Sequence, residues 1–145
     1  MNVRGAWGAI LLAGALLAFA SKAESVSELI ARAEAARPED RAVLYIEIAE
    51  LQLKAADELY TAGKVQEAQA AIGDVAAYSE KAHDASLKSG KRLKNTEIAV
   101  RKMADKLRDI KRTLNFDDQA PVQEVVDRLE QLRTDLLAHM FGKGK

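Results

Sequence analysis

Two interleaved heptad series, neither containing a charged residue, run through the middle of this chain. The first is Val65, Ile72, Ser79, Ser86, Leu93, Val100, Leu107 and Leu114; the second is Ala68, Val75, Ala82, Ser89, Thr96, Met103 and Ile110. The positions between them are crowded with Lys, Arg, Glu and Asp. An ionised side chain in such a seam would have to leave water, so a face kept clear of charge over many turns marks a helix packed along its length against other helices. The seam resembles that of a coiled coil. With only two prolines and abundant Ala, Leu, Glu, Lys and Arg, the chain is read as all-α.

The flanking segments read as the covers of this seam. Ser25-Val26-Ser27-Glu28 has the spacing of a capping box and opens a short helix over 25–36, with Val26, Leu29, Ile30 and Ala33 inward. Pro38, followed by Glu39 and Asp40 at the positive end of the helix dipole, opens a second helix over about 38–62. Its apolar residues form two stripes, Leu44, Ile48, Leu51, Ala55, Leu59 and Ala62 beside Ile46, Ala49, Leu53, Ala56 and Tyr60, which calls for two neighbours. Gly63 is placed to cap it. The last helix is expected over about 121–141 from Pro121, with Val122, Val125, Val126, Leu129, Leu132, Leu136, Leu137 and Met140 inward and Gly142 as its stop, leaving 142–145 as a flexible tail.

Folded back on the seam, the two covers meet at Ser89-Gly90. Two architectures satisfy this. Either one long central helix spans about 65–114, some 75 Å at 1.5 Å per residue, or the seam breaks at Gly90 and folds into a compact four-helix bundle. Unbroken register through Ser86, Ser89, Leu93 and Thr96 favours the first, an elongated antiparallel bundle on one long helix kinked at Gly90.

Residues 1–20 carry the marks of an export signal. Arg4 precedes an apolar run from Ala6 to Ala20, and small residues permit cleavage after Ala20 or Ala23. The run is short for a membrane span of about 20 residues, with an uncleaved anchor as the alternative. The expected product is exported to the periplasm or secreted, a single helical domain over 24–141 that does not span the membrane once cleaved. Without cysteine it has no lipid attachment site, disulfide or haem motif.

Acids and bases balance at 22 each, so net charge argues for no particular partner. Their distribution is uneven. From Glu24 to Ser79 eleven acids face five bases, and from Glu80 to Arg112 eleven bases face five acids. The basic stretch holds Lys88, Lys91, Arg92, Lys94, Arg101, Lys102, Arg108, Lys111 and Arg112. Acidic covering helices can match much of this charge, leaving Lys88, Lys91, Arg92 and Lys94 at the waist as the candidate interaction residues for an envelope protein or an anionic surface. Nucleic acid is disfavoured because no aromatic interleaves with these bases.

The passage Ala55-Ala56-Asp57-Glu58-Leu59-Tyr60-Thr61-Ala62-Gly63-Lys64-Val65-Gln66-Glu67-Ala68 resembles the hairpin of a tetratricopeptide repeat. Ala56, Leu59, Ala68 and Ile72 stand at that family's small and large packing positions. Gln52 stands in place of its tryptophan and Glu80 in place of its terminal proline, so the resemblance covers 52–76 only. One repeat further on, Gly90, Lys102 and Lys106 occupy the packing positions and no second repeat follows. The resemblance implies a close helix–helix turn. The whole chain also resembles uncharacterised exported bacterial helical proteins, which implies no activity.

Glu80-Lys81-Ala82-His83 is one Glu-x-x-His spacing, the element that di-iron bundles use twice, and Glu80 and His83 are the candidate metal ligands. There is no second copy. His139 instead follows Asp135 by four residues, the spacing of a helical ion pair. Ser79 and His83 lie one turn apart but lack an orienting carboxylate and an oxyanion loop, and Ser89-Gly90-Lys91 lacks the upstream glycine of a phosphate loop. The sequence therefore points to a non-enzymatic helical scaffold or interaction module of the cell envelope, with no cofactor. The competing reading is a small-ligand or metal-binding bundle with Glu80 and His83 beside Glu47 or Glu50. A seam of this kind can also pair with a second copy, which permits a homodimer.

Overall fold

The computed structural model describes residues 25–142, and all regular structure among them is helical. Helix α1 covers 25–35. It is followed by α2 (Pro38–Thr61), α3 (Val65–Ser89), α4 (Leu93–Arg112) and α5 (Phe116–Phe141). The export signal, its cleavage positions and the tail beyond Gly142 lie outside the described residues.

Two helical hairpins, α2–α3 and α4–α5, form the body. The first turns at Gly63, whose φ of 77° is open to glycine at no steric cost. There Lys64 N–H donates to Leu59 O at 2.8 Å and Gly63 N–H to Tyr60 O at 3.0 Å, the paired bonds of a Schellman cap. Alanine lets these two helices pack closely. Ala49, Ala56 and Ala68 are fully buried at the α2–α3 contact, where larger side chains would hold the axes apart.

The seam is not one helix. Gly90 ends α3 in the left-handed region (φ 70°, ψ 10°), its N–H bonded to Ser86 O at 2.9 Å, and Arg92 enters α4 from the same region (φ 66°, ψ 10°). Two left-handed residues in a three-residue connection reverse the chain, and the elongated arrangement gives way to the compact bundle. The reversal shows in the pairing: Glu97, Arg108 and Lys111 of α4 meet Arg133, Glu130 and Gln123 of α5 in antiparallel order, whereas Glu80 and His83 of α3 meet Arg128 and Asp135 of α5 in parallel order. Helices α2 and α4 are likewise parallel neighbours. Asp57 pairs with Lys106 at 3.2 Å, and one level earlier Lys102 opposes the desolvation and the Glu47 charge that raise the Glu50 pKa. Each hairpin thus lies with its first helix beside the other's first and its second beside the other's second.

Register across Gly90 survives because both helices turn their apolar faces into one core, so a short turn preserves the pattern that continuity would also produce. No residue of either heptad series is exposed. All four long helices contribute to the main core, through Leu53, Ile72, Leu107 and Leu129 among others. A smaller cluster of Ala33, Tyr45, Ile48 and Ala82 seats α1, whose last carbonyls, Ala33 O and Ala36 O, accept from the Arg41 guanidinium at 3.1 and 2.8 Å. Of the two expected α2 stripes, the one through Ala49, Leu53, Ala56 and Tyr60 is buried, while Leu51 and Ala62 of the other are exposed because α1 covers only the first half of α2. Helix α5 begins at Phe116, five residues ahead of Pro121. Its first turn is tight, with Asp118 N–H bonded to Asn115 O, and the proline sits inside the helix, where its missing N–H leaves only the Asp117 carbonyl unserved.

Two glycines of α3 should respond in opposite directions to alanine. At Gly73, in mid-helix, an added Cβ meets nothing within 4 Å, so Gly73→Ala is expected to stabilise by about 1 kcal/mol. At Gly90 the space is equally open but the backbone is left-handed, and Gly90→Ala is expected to destabilise by about 1 kcal/mol. Urea melts of the two variants measure both; a stabilised Gly90→Ala protein would mean a continuous seam.

Candidate functional site

The polar residues of the seam fall where α3 faces α4 and α5. Ser86 and Thr96, on either side of the reversal, share a buried hydroxyl–hydroxyl bond of 2.7 Å. A turn earlier His83 is buried, with Nδ1 2.8 Å from Asp84 Oδ1 and Nε2 2.5 Å from Asp135 Oδ2. Both ring nitrogens face carboxylates, so neither is available as a base for Ser79, whose buried hydroxyl has no partner among the described residues. A serine–histidine nucleophile is not assembled here. Asp135 also receives His139 Nδ1, through its backbone carbonyl at 2.9 Å and its carboxylate at 3.6 Å, and so joins both histidines of the chain.

The candidate metal ligands part company. Glu80 pairs with Arg128 and His83 with Asp84 and Asp135, while Glu47 and Glu50 are exposed on α2 and lie beside neither. Among the described residues no three His, Cys, Asp or Glu side chains are grouped to hold a metal ion. Glu97, buried on α4, is engaged by Arg133 Nε at 2.8 Å and Arg101 Nε at 3.3 Å. The Glu97 hydrogen bond is the main cause of the raised Arg133 pKa. These groups satisfy one another. They stitch α5 to α3 and α4.

The basic residues divide into two sets. Arg101, Arg108, Lys111 and Arg112 are matched within the bundle, by Glu97, by Asp105 and Glu130, by Gln123 and by Asp109. Lys91 reaches Glu39 at 3.4 Å. Lys102, on the body of α4, is exposed with no carboxylate within 4 Å among the described residues, and the same is true of Lys88, Arg92 and Lys94 around the turn. Because the chain reverses at Gly90, these bases sit at an end of the bundle and not at the waist of a long rod. Lys91 brings the first turn of α2 to that end, and with it Arg37, which pairs with Glu39 and Asp40. The C-terminus of α5 arrives there too, since Arg133 meets Glu97 and α5 continues eight residues to Phe141, about 12 Å.

Comparison of the chain with protein-family models, characterised proteins and solved structures finds no match to any of them.

Sequence periodicity locates the polar seam residues but not their partners. The spacing of Asp135 to His139 hides its bond to a histidine 52 positions away, and Glu97 reads as one more surface acid until α4 is folded against α5. Phe141 stands off the inward face of α5 and is 77% exposed, a position visible in the helical register once the last turn is drawn.

Proposed function

We propose that this chain is an exported, non-catalytic helical interaction module of the cell envelope, and that Lys88, Lys91, Arg92 and Lys94 at the α3–α4 end form its contact surface. The observation carrying the proposal is the clustering of unmatched bases: Lys88, Arg92 and Lys94 project together at this end, whereas along the body of α4 Lys102 alone lacks an acid or amide partner among the described residues. Helix stability does not account for Arg92 and Lys94. They flank the N-terminus of α4, whose first turn holds no acid, and bases there oppose the helix dipole. Arg92 also keeps a left-handed backbone that glycine would adopt without strain. The leader in the sequence supports export, and the engagement of His83, Glu97, Ser86 and Thr96 within the bundle supports a role without chemistry.

Affinity capture from envelope extract tests this. The immobilised protein is expected to retain its partner at low salt and release it at high salt, where charges on a surface are screened. The Lys91→Glu/Arg92→Glu/Lys94→Glu variant is expected to retain nothing. Retention that charge reversal leaves unchanged would place the contact elsewhere or remove the reading.

A further inference from the structure

The geometry points to an anionic lipid bilayer as the surface that the basic end meets, with Phe141 as the apolar anchor; this rests on the interaction reading above and names its partner. Four separate stretches reach the end of the bundle: the start of α2 with Arg37, the Gly90–Arg92 turn, the first turn of α4 with Lys94, and the last turn of α5 with Phe141. A peptide needs a groove to collect contacts from four such corners. A plane touches them together. The acids at this end, Glu39, Asp40 and Asp84, are fewer than its bases, Arg37, Lys88, Lys91, Arg92 and Lys94, so the excess is positive, and in the sequence Lys143 and Lys145 follow Phe141.

An aromatic ring among lysines and arginines suits the bilayer interface: the ring enters the acyl boundary while the bases meet phosphate oxygens, their aliphatic stems lying along the apolar surface. The opposite end of the bundle supplies a control within the same molecule. Phe116 is even more exposed, at 86%, and lies near Lys111 and Arg112, but its helix opens with Asp117 and Asp118 and Arg112 is paired with Asp109, so the bases there are offset by acids. Aromatic exposure is common to both ends; only the Phe141 end has bases in excess of acids. No helix among the described residues is long and apolar enough to cross a membrane, and the contact proposed for this end is peripheral.

Sedimentation with vesicles tests the assignment. The protein is expected to bind vesicles of phosphatidylglycerol with phosphatidylcholine and not vesicles of phosphatidylcholine alone, with affinity falling as salt rises. Each base near an anionic surface multiplies affinity about fivefold, so the Lys91→Glu/Arg92→Glu/Lys94→Glu variant is expected to lose about a hundredfold or more. Phe141→Ala is expected to lose about tenfold and Phe116→Ala nothing. All five positions are exposed, and an unchanged helical spectrum and melting temperature separates loss of binding from loss of fold. Equal binding to neutral vesicles, or equal effects of the two phenylalanine variants, overturns the proposal. Failure on vesicles with salt-sensitive capture of an acidic protein, or of a second copy through its acidic end, overturns the lipid assignment and leaves the interaction reading standing. Indifference of both assays to charge reversal overturns both.

Discussion

A Ser86→Cys/Thr96→Cys double variant is expected to close a disulfide under mild oxidation and to gain about 2–3 kcal/mol of stability from it. The two hydroxyl oxygens are 2.7 Å apart in the interior, on the last turn of α3 and the first turn of α4. The chain has no cysteine of its own, so the introduced pair has no competing thiol. In an unbroken helix, positions ten apart would be separated by about 15 Å, far beyond the roughly 7 Å between Cα atoms that a disulfide tolerates. The gain comes from tying a short loop in the unfolded chain, and urea melts with and without reductant measure it directly. The form of the bond is as informative as its strength. A bond within one chain establishes the fold-back at Gly90. A bond only between two chains would instead report a straightened α3–α4 helix exchanged between copies, and the absence of any bond would contradict the reversal altogether.

That junction is also where the sequence was least legible. The all-α class, the short first helix, the Gly63 cap, the core positions of α5 and the heptad positions of α3 and α4 follow from periodicity and capping residues, because these are local or depend on a single face being kept dry, whereas buried Ala71, His83, Ala85, Glu97 and Ala104 lie off the two heptad series. Gly90 is ambiguous at that level. A glycine within a helical pattern serves equally as a tolerated interior residue, as Gly73 is, or as a left-handed stop, and only the packing of α4 against α5 and α2 decides between them. Arg92 compounded the ambiguity, since an arginine gives no sign of a left-handed backbone. Its cost falls on the turn itself. The same limit governed the site: four bases were found by charge run, but that they stand at an end, beside Arg37 and Phe141, depends on where three other elements terminate. Pairings such as Glu80 with Arg128 lie 48 positions apart and have no local signature.

Leu129→Ala is expected to cost about 3 kcal/mol and to lower the melting temperature by roughly 6–12 °C, at 2–4 °C per kcal/mol for a chain of this size. Leu129 has no exposed surface and lies in a core to which all four long helices contribute, so the cavity left by truncation is walled by both hairpins and has little room to collapse. Leu51→Ala removes the same atoms from a side chain 41% exposed on the outer stripe of α2, and is expected to change stability by no more than about 0.5 kcal/mol. The three tyrosines, Tyr45, Tyr60 and Tyr78, make the test sharper. All belong to the α2–α3 hairpin, whereas Leu129 belongs to α5. If the shared core joins the hairpins into one cooperative unit, the melt followed through the tyrosine ring resonances should move with the melt of total helix when Leu129 is truncated. Two independent hairpins would leave the tyrosine transition in place while the α4–α5 signal moved alone. Each hairpin packs one face within itself and the other against the opposite hairpin, and parting the two would expose Ile72 and Val75 on one and Leu107 and Leu129 on the other. At roughly 1.5–3 kcal/mol for each buried side chain, these four alone amount to about 6–12 kcal/mol, comparable to the whole stability of a typical domain, and a single transition is the outcome the packing favours.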